Sequence, residues 1–183
     1  MAKPDDLKVS TSLVVDLPAD RFDLADWIVH FSSEEYIDCT PATHNHKYSD
    51  VYRDPDGGYV FRNDEFCGGI MMTQLYRGEI MEREHVFLVS PRTKGRFLWV
   101  WPMTFQITWD MKVEPFDENR SKFTCTIGSK LNPVYQFLSF VIRLTFWAQA
   151  HADEETPHFA DSAARWATRN DSERRASYVS PSM

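Results

Sequence analysis

The chain has 183 residues, of which 43% are hydrophobic and 14% aromatic; this is enough for one domain with a sizeable core and excludes a disordered protein. A net charge of −7, with no basic stripe, argues against nucleic acid or an anionic membrane as partner, because both are bound through clustered Lys and Arg. Cys39, Cys67 and Cys125 are odd in number and lack CxxC spacing, so neither a disulfide framework nor a cysteine zinc knuckle is expected, and a reducing cytoplasm fits.

Residues 1–8 read as a short extension without the apolar region of a secretory signal. "VSTSLVVDLP" (9–18) is rich in β-branched residues and ends at Pro18, which predicts a first strand. In "ADRFDLADWIVHFSSEEYIDC", Asp20 is placed to cap a helix with Asp23 in its first turn, and Ser32 or Ser33 to cap a second short helix.

From residue 43 to 130 turn clusters separate strands expected near 43–53, 58–66, 70–77, 79–90, 96–114 and 121–130. "DPDGG" (54–58), "SPRTKG" (90–95) and "DENRS" (117–121) are the turns, with Gly78 closing a tight reversal. "TFQITWDMKVEP" alternates Phe105, Ile107, Trp109, Met111 and Val113 with polar neighbours, the pattern of a strand with one buried face. Pro102 cannot donate a ladder hydrogen bond and predicts a bulge or bend.

Asn132 and Pro133 open the last element, where Phe137, Val141, Leu144, Ala148, Ala152, Glu155, Phe159, Ala163 and Trp166 recur at steps of three or four. Pro157 is expected to kink this helix or restart it with Thr156 as cap. The longest apolar run, 137–148, carries Arg143 and falls short of the roughly 18 residues of a membrane span, so no membrane partner is expected. Residues 170–183 read as a flexible polar tail.

This element order resembles the START-like, Bet v 1-like (SRPBCC) superfamily over residues 9–169. The resemblance implies an α+β helix-grip fold: a seven-stranded curved antiparallel sheet around a long C-terminal helix, with two short helices after the first strand and a ligand cavity between sheet and helix. It implies carriers and sensors of hydrophobic ligands, polyketide cyclases, and zinc-dependent hydrolases that cleave carbon–carbon bonds in acylated phenols. Fold alone does not choose among them.

His151 and Glu155 are four apart on the stripe that faces the sheet. Three readings of the pair stay open. It is a helix-face charge pair, or His151 is a general acid–base group oriented by a carboxylate, with His46 and Tyr48 beside it. In the third reading His44, His46, His151 and Glu155 hold zinc, which is otherwise not expected as a cofactor; the zinc hydrolases similarly set a His and a Glu four apart on their last helix.

A second polar cluster, Glu79, Glu82, Glu84 and His85, lies on a strand whose inward face the pattern does not decide. Tyr52, Phe61, Tyr76, Trp99, Trp101, Phe105 and Trp109, with Phe137, Val141 and Leu144 of the last helix, are the expected lining of a pocket for an apolar, oxygenated polyketide, terpenoid or other polycyclic molecule. The expected function is an acid–base step on that ligand (cyclisation, dehydration, isomerisation or carbon–carbon hydrolysis), with a non-catalytic carrier or sensor as the alternative.

Overall fold

The computed structural model describes residues 7–169. The polar tail expected at 170–183 and most of the extension at 1–8 lie outside them. β1 (Leu7–Val15) is followed by a short 3-10 turn, α1 (Leu24–Val29) and α2 (Ser33–Asp38). Six strands follow in a meander: β2 (His46–Arg53), β3 (Tyr59–Cys67), β4 (Ile70–Met81), β5 (His85–Phe97), β6 (Trp101–Pro115) and β7 (Ser121–Lys130). α3 (Pro133–Val141) and α4 (Leu144–Thr168) close the chain. The seven strands form one curved antiparallel sheet in the order β1-β7-β6-β5-β4-β3-β2, and α4 lies in its grip.

The short helices are set by local chemistry. Asp23, not Asp20, caps α1 by accepting from the amide of Asp26. Ser32 caps α2 through a reciprocal capping box with Glu35. α1 then clamps α4: Trp27 donates its indole N–H to Ser162 Oγ at 3.1 Å, and Trp166 donates to Asp26 Oδ2 at 2.8 Å.

Several turn assignments shift. β4 runs through Gly78 to Met81, and the reversal falls at 82–84. The "SPRTKG" segment lies inside β5, because Ser90 pairs with Ile107 and Thr93 with Phe105, so Pro91 and Arg92 bulge opposite Gln106. The bulge sits at Pro91, which has no N–H to give the ladder, while Pro102 pairs regularly with Arg96 near the end of β6.

The final helix is also different. Pro157 sits inside an unbroken α4, and the Thr156 hydroxyl, instead of capping a new helix, donates to the Ala152 carbonyl at 2.6 Å. The break comes at Ile142 and Arg143, where Arg143 is left-handed (φ 53°). The apolar stripe is thus divided: α4 buries its half against the sheet, whereas α3 buries none of its side chains. Among the described residues no helix is long and apolar enough to cross a membrane.

Phe159 ties α4 to both walls. It is fully buried, 5.2 Å from the Trp109 ring of β6 and 5.6 Å from Phe31 beyond α1. Phe159→Ala should cost about 3–5 kcal/mol, as aromatic truncation in a close-packed core does. Urea unfolding should show it as a lower midpoint at unchanged slope.

Candidate functional site

A β-bulge makes the site possible. His46 pairs with Glu65, but Tyr48 pairs with Asp64, so the extra residue at Lys47 slips the alternation of β2 by one. His46 therefore points inward and is 2% exposed, while Tyr48 points outward beneath the Arg62 guanidinium. Tyr52 follows Tyr48 onto the outer face. Neither tyrosine lines the interior, a correction that regular alternation from His46 could not supply.

His46 is fixed on three sides. Its ring stacks on Tyr36 of α2 at 3.8 Å and 2°. Nδ1 lies 2.6 Å from the Tyr36 carbonyl, which can only accept, so Nδ1 carries the proton and Nε2 faces the interior. There Nε2 is 3.0 Å from Glu155 Oε2 of α4 and 3.9 Å from Glu65 Oε2 of β3.

His151, one turn before Glu155, completes the group. Its Nε2 is at ion-pair distance of both carboxylates, 3.3 Å from Glu155 Oε2 and 3.7 Å from Glu65 Oε2, though neither contact has the geometry of a well-formed hydrogen bond. Glu65 is held from behind: Gln74 donates to Oε1 at 2.6 Å and the Tyr36 hydroxyl to Oε2 at 2.9 Å. The neighbouring Glu154 faces away and accepts from the amides of Ala42 and Thr43, which anchors the loop before β2 to α4.

The four groups polarise one another. Burial would raise the Glu65 carboxyl, but His151, His46 and the Tyr36 hydroxyl outweigh it and hold it down at about 2. Burial would likewise strip His151 of its proton, but the carboxylates of Glu155 and Glu65 prevail and raise it to about 9. Burial and the same two carboxylates push the Cys67 thiol up, so it stays protonated in the metal-free protein.

This donor set fits a divalent cation. One ligand atom from each of His46, Glu65 and His151 lies within 4.8 Å of the others. Bonds of roughly 2.0–2.2 Å put tetrahedral ligand atoms about 3.3–3.6 Å apart. The imidazole-to-carboxylate distances of 3.0, 3.3, 3.7 and 3.9 Å bracket that edge. Two imidazoles, once His151 has given up its proton, and the Glu65 carboxylate are hard to borderline donors suited to zinc, with Glu155 Oε2 3.0 and 3.3 Å from the two rings.

Three spaces meet at the group. A chamber of about 20 Å³, room for about one water, is lined by Tyr36, Asn63, Glu65, Tyr76, Trp109 and Glu155. An apolar chamber of about 50 Å³ runs between Ile70, Met72, Phe105, Ile107, Leu144 and His151. A cleft of about 480 Å³ between Phe66, Phe97, Leu98, Ile142 and Trp147 opens outward from His151.

Tyr76, Trp109, Phe105 and Leu144 thus line the two chambers, and Phe61 is buried in the surrounding core. Four other expected lining residues do not: Trp99 and Trp101 stand exposed at the β5–β6 turn, and Phe137 and Val141 are exposed on α3, because the chain turns away at Arg143. His44 is exposed in the left-handed region (φ 51°), two residues too early to share His46's strand, and is not in the site.

Glu82 and Glu84 are also exposed, and His85 bonds Asp110 at 2.8 Å on the outer face, so this cluster does not reach the interior. Glu65 is the residue that sequence reasoning missed. In "YVFRNDEFC" it shares the parity of Phe61, Asn63 and Cys67, but charged or polar residues occupy both faces and hide the pattern.

No family model and no curated protein matches the sequence. Solved structures do match in shape. A Thermus thermophilus protein superposes with TM-score 0.59 at 12% identity, over 88% of this chain and 99% of its own. A conserved protein from Geobacillus kaustophilus gives 0.51 at 11%, over 87% and 96%. A START superfamily protein from Mycobacterium smegmatis gives 0.45 at 13%, over 81% and 97%. Sheet order, the gripped helix and the first two of these likenesses show that the chain has the helix-grip fold.

Proposed function

We propose that the protein is a metal-dependent hydrolase acting on an apolar, carbonyl-bearing small molecule, with His46, Glu65, His151 and Glu155 as the ligand set of one zinc ion. The observation that carries this reading is His151: a buried imidazole whose Nε2 lies 3.3 and 3.7 Å from two carboxylates, with the ligand atoms of His46, Glu65 and His151 all within 4.8 Å of one another. A carrier of a hydrophobic ligand has no use for four buried titratable side chains in one cluster.

A bound zinc ion supplies Lewis acidity and lowers the pKa of bound water toward neutrality. The chain's own residues do the rest. His46 is locked in one tautomer by the Tyr36 carbonyl, and Gln74 with the Tyr36 hydroxyl orients Glu65, the outer support such sites need. The apolar chamber and the cleft receive the two ends of a substrate and exclude bulk water around its carbonyl.

Cleavage of an acyl group from an aromatic ring, the reaction of the zinc hydrolases in this superfamily, is the first chemistry to assay. Protein purified without chelator should hold close to one zinc per chain by elemental analysis. It should turn over an acylated phenol, lose activity to a chelator and regain it with zinc. Activity untouched by complete metal removal would instead assign catalysis to proton transfer by His151 and Glu155 alone.

A further inference from the structure

We infer that the face around the cleft mouth is a self-association surface and that the protein works as a symmetric dimer closed over its own cleft. Two elements build this face. The β5–β6 turn exposes Leu98, Trp99, Val100 and Trp101, with Trp99 stacked at 6.2 Å on Phe66. The α3–α4 corner exposes Phe137, Phe140, Phe146 and Trp147. Both flank one cleft, whose walls include Leu98 from the turn and Ile142 and Trp147 from the corner.

The area is sufficient for a stable contact. The six aromatics Trp99, Trp101, Phe137, Phe140, Phe146 and Trp147 are each 51–82% exposed. With about 150–250 Å² available per aromatic side chain, they alone offer on the order of 800 Å², the amount each partner contributes to a standard interface.

The backbone gives independent support. Leu98 and Trp99 have φ of 48° and 66°, and the Val100 amide closes the turn on the Phe97 carbonyl. Two successive left-handed residues form the hairpin turn that favours Asn-Gly, and large side chains are disfavoured there. Bulky apolar residues held in that conformation, pointing into solvent, mark a tip kept for contact rather than for folding.

The chemistry selects a second copy over a bilayer. Residues 131–152 contain one Lys, Arg, Asp or Glu, which is Arg143. Helices that lie on membranes carry Lys and Arg along their polar face, and α3 has none, on a chain of net charge −7. An aromatic-rich face whose α3–α4 corner carries a single charge, Arg143, is instead the composition of a homodimer core. Seated on this face, a second copy covers the outward side of the cleft that adjoins His151. The inference does not depend on zinc.

Sedimentation velocity of the full chain at micromolar concentration should give twice the 21.4 kDa protomer mass. Trp99→Glu and Phe140→Glu, both at solvent-exposed positions, should each give a folded monomer with unchanged far-ultraviolet circular dichroism. Tryptophan emission in those monomers should be more readily quenched by iodide than in the wild type. A wild-type monomer overturns the proposal, and its co-sedimentation with phosphatidylcholine vesicles would assign the face to lipid. A dimer that survives both substitutions overturns it as well, by placing the contact elsewhere.

Discussion

Glu65→Gln should strip the protein of zinc and stop turnover while leaving the fold intact. The substitution keeps the shape of the side chain; the glutamine carbonyl can still accept from the Tyr36 hydroxyl, and a flipped Gln74 amide can accept from the new NH2, so packing around β3 is preserved. What disappears is the negative charge among two imidazoles, which is what a divalent ion needs from that position. Outer-shell changes at metal sites cost about 10–100-fold in affinity, so loss of a direct ligand should exceed about 100-fold.

Gln74→Leu provides the graded comparison. It removes the 2.6 Å hydrogen bond to Glu65 Oε1 without touching the ligand atoms, and should fall within the 10–100-fold range. Metal content after dialysis against a weak chelator reads both, and circular dichroism checks the fold. Full zinc occupancy in Glu65→Gln would remove Glu65 from the ligand set and return the strand contribution to His46 alone.

The helix half of this site was legible from sequence, and of the strand half only His46 was, for a physical reason. A helix repeats every 3.6 residues, so His151 and Glu155 at a spacing of four share a face whatever the rest of the chain does. A strand alternates every two residues, so one inserted residue inverts every later assignment. The bulge at Lys47 does this: it leaves His46 inside and turns Tyr48 and Tyr52 out. No local signal in "HNHKYSD" announces it.

The same distinction holds for the fold. Strand number, meander order and the long C-terminal helix follow from periodicity and turn chemistry, which are local, whereas the sheet's grip on that helix was implied by the resemblance. The break at Arg143 is not: neither Gly nor Pro marks it, and the apolar steps of three or four continue across it, so the stripe reads as one helix facing the sheet. Phe137 and Val141 were consequently expected inside. Apolar character alone does not distinguish a side chain that packs within its own chain from one that awaits a partner.

Zinc affinity should climb about tenfold for each pH unit between roughly 6.5 and 9, then level off. The sign follows from His151. In the metal-free protein its imidazole is raised to about 9, chiefly by Glu155 against the opposing effect of burial, so at neutral pH it holds a proton. Metal coordination requires the neutral ring, and binding must therefore expel that proton. Glu65 is held at about 2 and is already ionised throughout this range, so it adds no pH dependence of its own. Calorimetry of zinc binding at pH 7, repeated in buffers of different ionisation enthalpy, should report about one proton released per ion from His151. In His151→Gln the same measurement should show much weaker binding and a release lower by one. The metal-free protein should respond in the opposite sense: a histidine raised on folding stabilises it fully below its unfolded pKa of about 6.5, and that contribution is lost as pH rises through 9. Thermal melts of apo and zinc-loaded protein should thus diverge with rising pH, and parallel curves would show that His151 is not a ligand.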